Sequence, residues 1–143
     1  MRINIVKLNE NATVPTYGTE YSAGADLYNL NEQVSVAPGE TVLIHTGIAM
    51  ESPEGYVGLI FARSGLATKR GLAPANKVGV IDADYRGEIM VALHNHTDKA
   101  AVVDPCERVA QIAIVPFLKA EYELVDELSS TVRGSGGFGS TGR

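Results

Sequence analysis

Short apolar segments separated by closely spaced turn signals run through most of this sequence, and they restrict the folds that it can adopt. Apolar residues alternate or cluster within each segment, as in β-strands, and Pro38-Gly39 is a typical turn sequence between two of them. The predicted strands are Arg2–Leu8, Ser22–Tyr28, Gln33–Val36, Thr41–Met50, Tyr56–Phe61, Glu88–His96, Arg108–Phe117 and Glu121–Val125. Many short strands with little helix favour an all-β sandwich or barrel.

One helix and one tail stand outside this pattern. Ser64–Leu72 is predicted to be a short helix, with Ser64 as its N-cap and Gly71 ending it in the left-handed conformation. From Ser129 onward the chain is mostly Ser, Thr, Gly and Arg, which is typical of a flexible arm. We therefore expect one β domain over residues 1–128 and a flexible C-terminal arm over residues 129–143.

The overall charge excludes one broad class of partner. The net charge of −5 at pH 7 argues against general binding of DNA or RNA, which needs a basic face. A small anionic ligand held by a few arginines is still compatible with this net charge.

Cys106 is the single cysteine, so no intramolecular disulfide can form and a reducing compartment is expected. Because the sequence shows neither a secretory signal nor an apolar run of about 18 residues, we expect a cytoplasmic protein without membrane contact, or one in the nucleus or a host cell if the source is eukaryotic or viral.

Asn76–Gly87 is the densest cluster of candidate functional residues in the chain. Two glycines in it supply backbone freedom and let a ligand approach the main chain closely. Asp82, Asp84 and Tyr85 lie within four residues, which a plain turn between strands does not need. The segment is predicted to be a β-hairpin whose backbone and side chains face a small molecule.

Five stretches of the sequence resemble, in the same order, the five motifs of the trimeric dUTPases. The stretches are Ser22–Tyr28, Ala62–Leu72, Asn76–Ile89, Pro105–Phe117 and Arg133–Gly142. They contain Gly-Ala-Asp-Leu, Arg-Ser-Gly-Leu-Ala, the aspartate–tyrosine cluster, Glu-Arg-Val-Ala-Gln and Gly-Gly-Phe-Gly-Ser. One position departs from the family pattern, since Ala62 replaces the usual proline before Arg-Ser-Gly. That loss affects loop stiffness more than chemistry.

The resemblance implies both a fold and an activity. The fold would be a jelly-roll-like β-barrel or sandwich of short strands. The activity would be Mg²⁺-dependent hydrolysis of dUTP to dUMP and pyrophosphate, which removes dUTP from the DNA precursor pool and supplies dUMP for dTMP synthesis. The enzyme would be a homotrimer in which each active site takes motifs from more than one chain, with dUTP as its partner.

In the third motif, the resemblance implies distinct roles for five residues. Asp82 would orient and deprotonate the attacking water, although an aspartate can instead simply stabilise a turn. Tyr85 would lie against the deoxyribose and exclude a 2′-hydroxyl, although an aromatic residue can instead pack in a sheet. Asn76 and the backbone around Gly79 would read the uracil edge. Asp84 would be a structural or subunit-contact acid.

The first, second and fourth motifs would hold the triphosphate and its metal. Arg63, Ser64 and Gly65 would be phosphate ligands. Gln111 would hydrogen-bond a phosphate or a metal-bound water, unless it is only a polar residue on an exposed strand face. Asp26 would reach Mg²⁺ through water, because Mg²⁺ sheds its waters reluctantly.

Three other polar residues are ambiguous in the sequence. Arg108 could serve the site or simply pair with a nearby acid such as Asp82 or Asp84. His94 and His96 share a strand face, but no third metal ligand is evident, so we interpret them as surface histidines.

The tail resembles the arm that closes over the substrate in this family. Arg133 and Ser140 would contact the γ-phosphate, and Phe138 would stack over the uracil with Gly139 beside it. A P-loop is excluded, because Gly139 stands where that motif requires lysine and no strand and helix flank it. An inert tail is the alternative for such a composition.

Other functions compete with this interpretation. A dCTP deaminase, alone or combined with diphosphatase activity, would share the fold family, but its site centres on a glutamate. A β-sandwich module could bind dUTP as a signal without turnover. A purely structural jelly roll would leave the clustered acids, arginines and glycines unexplained.

Overall fold

The computed structural model describes residues 1–30 and 32–138. Within them the chain forms short strands and one helix. These are β1 (Asn4–Lys7), β2 (Thr16–Tyr17), β3 (Ala25–Tyr28), β4 (Val34–Val36), β5 (Thr41–His45), β6 (Ile48–Glu51), β7 (Tyr56–Phe61), α1 (Ser64–Arg70), β8 (Leu72–Pro74), β9 (Gly79–Ile81), β10 (Met90–Asn95), β11 (Ala101–Val103) and β12 (Arg108–Pro116).

All strand pairs in the described residues are antiparallel, and they form four small sheets. The largest has the order β2-β3-β12-β7-β9, and a second has the order β5-β10-β8. The pairs β1-β6 and β11-β4 complete the arrangement. The predicted all-β, jelly-roll-like fold with one short helix is confirmed, as a sandwich of open sheets without a closed barrel in the described part of the chain.

The core lies between the inner faces of these sheets. In β10, Val91, Leu93 and Asn95 are buried while Met90 and His94 point outward, as the two-residue period of a strand requires. Each fully buried leucine or isoleucine side chain stabilises the folded state by about 1.5–3 kcal/mol relative to the same side chain exposed to water. The largest of them are Leu27, Ile44, Ile48, Leu72, Ile89 and Leu93.

The strand predicted over Thr41–Met50 is divided in two at Gly47. Gly47 has a φ of 69°, and a Cβ there would come within 2.8 Å of the Leu30 side chain. This sharp turn sends β5 and β6 into different sheets. The prediction of a strand over Glu121–Val125 was wrong, because no strand forms after Pro116 in the described residues.

The helix begins one residue earlier than the predicted cap implies. Ser64 is the first helical residue rather than the N-cap, and Arg63 occupies the cap position without a side-chain hydrogen bond. Gly71 does end the helix in the left-handed conformation, with a φ of 63°. No helix in the described residues is long and apolar enough to cross a membrane.

The prediction of a β-hairpin over Asn76–Gly87 was wrong. β9 pairs with β7, whereas β10 pairs with β5 and β8, so the strands that flank the segment belong to different sheets. A turn closed by a hydrogen bond from the Tyr85 amide to the Asp82 carbonyl redirects the chain between them. We call residues 82–87, which connect the two sheets, the aspartate–tyrosine loop.

Candidate active site

A first cavity, of about 470 Å³, collects the candidate phosphate ligands. We call it the arginine cavity. It lies where β3 and β12 run beside the β7–α1 connection, so residues distant in sequence meet there. Its lining residues are Gly18, Ser22, Ala23, Gly24, Asp26, Arg63, Ser64, Gly65, Arg108 and Gln111.

One carboxylate holds two guanidinium groups in this cavity. Arg63 Nε donates to Asp26 Oδ1 at 2.7 Å, and Arg108 Nη1 donates to Asp26 Oδ2 at 3.3 Å. Asp26 is only 8% exposed, so the three side chains form a partly buried cluster with a net positive charge. Arg108 does pair with an acidic side chain, but that residue is Asp26 rather than Asp82 or Asp84.

Gln111 lies beside this cluster on β12. Its Nε2 donates to the carbonyl oxygen of Ala62 at 2.9 Å, which fixes the amide just ahead of Arg63. Gly24 makes room for it, because a Cβ at that position would come within 2.6 Å of Gln111 Oε1. The amide is therefore held by close packing rather than displayed on a free strand face.

Ser64 and Gly65 form the exposed rim of the arginine cavity. A Cβ at Gly65 would meet no atom within 4 Å, so the backbone there is open to approach. The Ser64 hydroxyl is on the same rim. A rim of small groups beside two guanidiniums can accept an anion of phosphate type.

A second cavity, of about 330 Å³, gathers the candidate nucleoside ligands. We call it the tyrosine cavity. It lies against the outer face of the β5-β10-β8 sheet and under the aspartate–tyrosine loop. Its lining residues are Leu43, Asn76, Val80, Ile81, Asp82, Tyr85, Glu88, Met90 and Ala92.

Asp82 presents a free carboxylate at this cavity. Its backbone carbonyl closes the turn with the Tyr85 amide, while its exposed side chain makes no hydrogen bond or ion pair within residues 1–30 and 32–138. A turn-stabilising aspartate would instead use its carboxylate on the turn. The geometry favours a carboxylate available to a ligand or a water. Asp84 lines a different cavity, with Arg2 and Arg86.

Tyr85 is fixed at both its ring and its hydroxyl. A Cβ at Gly87 would come within 3.0 Å of Tyr85 Cε2, so the ring packs directly over that glycine. The hydroxyl donates to the Glu88 carbonyl oxygen at 3.0 Å. The side chain keeps 40% of its surface exposed and is not packed within a sheet.

Asn76 and Gly79 lie at the entrance to β9. A Cβ at buried Gly79 would lie 3.4 Å from Asn76 Nδ2 and 3.2 Å from Ile60 Cβ. The glycine thus lets the Asn76 amide approach the main chain. Asn76 lines the tyrosine cavity, whereas Gly79 is buried in β9 and is not one of the cavity's lining residues.

Glu88 is a residue of this cavity that the sequence did not single out. Its Oε1 accepts from the Gly47 amide at 2.8 Å, and its Oε2 is 2.9 Å from His45 Nδ1. Burial raises the pKa of the Glu88 carboxyl, but the hydrogen bonds from His45 and Gly47 outweigh this and leave the pKa below its ordinary value. These partners lie on the distant β5–β6 turn, so no local sequence signal reveals them.

The two cavities have no lining residue in common within the described part of the chain, and each contains only part of the predicted site. Asp82 and Tyr85 line one, whereas Arg63 lines the other. Neither cavity includes Arg133 or Phe138. Arg133 Nε instead donates to the Gly136 carbonyl at 2.8 Å, and Phe138 is fully exposed. The candidates Gly139 and Ser140 lie outside the described residues.

The described residues fit Mg²⁺ only indirectly. They contain no group of three or more His, Cys, Asp or Glu side chains that could hold a metal ion. Among residues 1–30 and 32–138, Asp26 is the one acidic residue that lines the arginine cavity, and both its oxygens already face guanidinium groups. A single acidic residue of this kind suits a hydrated ion that arrives on substrate phosphates and reaches Asp26 through water.

His94 and His96 have ring centroids 4.5 Å apart, and His96 is exposed.

Comparison with known proteins gives a consistent result. The dUTPase family model matches residues 10–142. Deoxyuridine 5'-triphosphate nucleotidohydrolase of Nautilia profundicola is 50% identical over the full length of both chains. The protein of the same name from Hydrogenobaculum is 49% identical over 99% of both chains.

Solved structures agree with the sequence comparisons. A mutant dUTPase of Staphylococcus bacteriophage 80alpha with dUpNHpp superposes with a TM-score of 0.91, at 30% identity over 99% of each chain. A mutant dUTPase of the S. aureus phage phi11, described with a structural Mg(II) ion, gives 0.83 at 28% identity over 91% of this chain and 100% of that chain.

Proposed function

The chain belongs to the dUTPase family and hydrolyses dUTP to dUMP and pyrophosphate, and we propose that its arginine and tyrosine cavities are complementary halves of the nucleotide site. One observation carries this proposal. The free carboxylate of Asp82 lies with Asn76 and Tyr85 in one cavity, while the cations suited to a triphosphate lie in the other. Neither cavity alone holds the groups that the reaction needs.

Asp82 is the general base of this proposal. Hydrolysis of a phosphoanhydride needs an oriented water whose proton is removed as it attacks phosphorus. The exposed Asp82 carboxylate makes no side-chain bond in the described residues, so it can accept that proton. Attack on the α-phosphate then releases pyrophosphate and leaves dUMP. A positioned base of this kind contributes about 10²–10⁴-fold to the rate.

The tyrosine cavity selects the nucleoside. Asn76 and the backbone around Gly79 pair with the uracil edge, so that cytosine would leave buried polar groups unpaired. The Tyr85 ring, held over Gly87, lies against the deoxyribose and leaves no space for a 2′-hydroxyl. Support for these roles comes from the fixed ring position and from the dUTP analogue dUpNHpp described with a related phage enzyme.

The arginine cavity holds the triphosphate. Arg63, Ser64, Gly65 and Gln111 contact its oxygens, and Arg108 adds positive charge through the shared Asp26. Mg²⁺ would arrive with the nucleotide, keep a water between itself and Asp26, and neutralise charge on the phosphates. The support is chemical, since a guanidinium pair beside a small polar rim matches phosphate geometry.

A homotrimer with shared sites would join the two cavities. Large apolar side chains after β12 are almost completely exposed in the single chain, including Leu118, Leu124 and Leu128. A stretch of this kind is typical of a surface that another chain covers. In the trimer, Arg133, Phe138, Gly139 and Ser140 would close over the nucleotide in a neighbouring chain's site. Mass measurement in solution tests the trimer, and a monomer would refute it.

A cytoplasmic location is part of the proposal. Cys106 carries a free, exposed thiol, which suits a reducing compartment. Cell fractionation with detection of dUTP hydrolysis checks this location, and activity confined to a membrane fraction would contradict it.

A substrate panel tests the proposed selectivity. Purified protein is incubated with dUTP, dCTP, dTTP and UTP in the presence of Mg²⁺, while pyrophosphate and ammonia are followed. We expect pyrophosphate from dUTP and almost none from the other three. Ammonia from dCTP would point to a deaminase, and binding of dUTP without turnover would point to a signalling module.

A further inference from the structure

Glu88 joins the aspartate–tyrosine loop to a turn in another part of the fold. Its Oε1 accepts from the Gly47 amide at 2.8 Å and its Oε2 pairs with His45 Nδ1 at 2.9 Å. The neighbouring Ile89 amide donates to the Ile48 carbonyl at 2.8 Å. Residue 88 is therefore attached to the β5–β6 turn through both its side chain and the adjacent backbone.

The turn that receives Glu88 is closely packed. Gly47 is in the left-handed region, where a Cβ would lie 2.8 Å from Leu30 Cδ1 and 2.9 Å from Ala12 Cβ. Thr46 is buried, and its hydroxyl donates to the Ile89 carbonyl. The Gly47 amide thus occupies one fixed position, and a carboxylate bound to it is fixed as well.

The Tyr85 hydroxyl depends on this anchored residue. It donates to the Glu88 carbonyl at 3.0 Å, while the ring rests on Gly87. The Tyr85 backbone is held by two further bonds, since its amide donates to the Asp82 carbonyl and its carbonyl accepts from Arg86 Nη1 at 3.1 Å. Its side chain makes no hydrogen bond in the described residues other than the one to the Glu88 carbonyl. The ring position is set by Gly87 below it and by the Glu88 carbonyl at its tip.

We propose that Glu88 is a positioning residue for sugar selection, because its side chain anchors the carbonyl that holds the Tyr85 ring against the deoxyribose. This inference rests on the proposed role of Tyr85. Glu88 does not touch the reacting phosphorus in this scheme and acts through Tyr85. When the anchor is lost, the ring can move away from the sugar, and the space that excludes a 2′-hydroxyl opens. Discrimination between dUTP and UTP then falls more than dUTP hydrolysis itself.

The test measures kcat/KM for dUTP and for UTP in a matched set of variants. Glu88→Ala removes both side-chain bonds. Glu88→Gln keeps an acceptor for the Gly47 amide and should restore most of the discrimination. Tyr85→Ala removes the ring, and Tyr85→Phe removes only the hydroxyl bond. Glu54→Ala serves as the control, since Glu54 is exposed and makes no side-chain hydrogen bond or ion pair in the described residues.

We expect Glu88→Ala and Tyr85→Phe each to lower the dUTP/UTP ratio of kcat/KM by about three- to tenfold. This range is the effect expected from the loss of one hydrogen bond. Tyr85→Ala should lower the ratio further, and Glu54→Ala should leave it unchanged. Melting curves accompany every variant, because a purely structural Glu88 would lower stability and both kcat/KM values while keeping their ratio.

Two outcomes overturn the proposal in distinguishable ways. If Tyr85→Ala keeps the wild-type ratio, Tyr85 does not select the sugar and the proposed function of that residue fails. If Tyr85→Ala lowers the ratio but Glu88→Ala does not, the tyrosine role stands and the anchoring role of Glu88 is refuted. A Glu88→Ala protein that does not fold is replaced by Glu88→Gln combined with His45→Ala, which should lower the ratio more than Glu88→Gln alone. An unchanged ratio in that double variant would equally refute the anchor.

Discussion

Replacing Asp26 by asparagine perturbs the most highly charged cluster of the arginine cavity. The change keeps the size of the side chain but removes the charge that Arg63 and Arg108 share. Asp26 is 12% exposed and Arg63 is 29% exposed at the side chain, so solvent screens their pair only in part. The Arg108 side chain is 50% exposed, so its pair with Asp26 contributes less to stability.

The expected cost follows from these exposures. Hydrogen bonds to charged groups contribute about 1.5–3 kcal/mol each when well buried, and breaking a fully buried pair costs about 3–5 kcal/mol. Because this cluster is only partly buried, we expect Asp26→Asn to lower the free energy of unfolding by about 2 kcal/mol. The two arginines would then also repel each other without compensation.

Urea unfolding at fixed protein concentration measures this difference, with and without added pyrophosphate. Pyrophosphate supplies the lost negative charge, so it should stabilise Asp26→Asn more than the wild type. Asp98→Asn is the matched control, because Asp98 is exposed and makes no side-chain ion pair in the described residues. Equal stability of wild type and Asp26→Asn, or equal stabilisation of both by pyrophosphate, would refute the reasoning.

Three further predictions concern the arm, the β5–β6 turn and acid stability. Removing residues 133–143 should reduce dUTP turnover strongly while leaving the melting temperature almost unchanged, and a large fall in that temperature would show that the arm belongs to the core. Gly47→Ala should destabilise the fold by more than about 1 kcal/mol in urea, because φ is 69° and the new Cβ meets Leu30 and Ala12; a neutral effect would contradict the close packing. The folded state lowers the pKa of Glu88 below 4.5, so the unfolded chain binds more protons there. The stability advantage of wild type over Glu88→Gln should therefore be complete above pH 4.5 and shrink as the pH falls below it, and a constant difference across this range would contradict the assigned contacts.

Much of the fold follows from local patterns, but the pairing of strands does not. Tyr56–Phe61 forms a strand with the predicted bounds, since alternation and flanking turn residues define it locally. The division at Gly47 depends on contacts with Leu30 and Ala12, which no local pattern contains. For the same reason, the local pattern of Asn76–Gly87 predicts a hairpin, although the flanking strands pair in different sheets.

In the candidate site too, local motifs indicate some residues, whereas long-range contacts determine the others. Motif resemblance pointed to Asp82 and Tyr85, and the structure places both in one cavity. The motif resemblance does not indicate that Arg108 binds Asp26, because the two residues lie on β12 and β3, which meet only through strand pairing. Glu88 was missed because its partner Gly47 is 41 residues away, and a glutamate after a loop glycine resembles an ordinary solvated residue.

In the proposed trimer, Asp82 of one chain completes the arginine cavity of another. Asp82→Asn and Arg63→Ala proteins, each verified as folded and each nearly inactive, are unfolded together in equal amounts and refolded. Random assembly places an intact Asp82 beside an intact arginine cavity in about one quarter of the sites, so the mixture should recover about one quarter of wild-type dUTP hydrolysis. If both residues serve the same chain's site, the mixture will be as inactive as its parents, and the account of a shared nucleotide site will be contradicted.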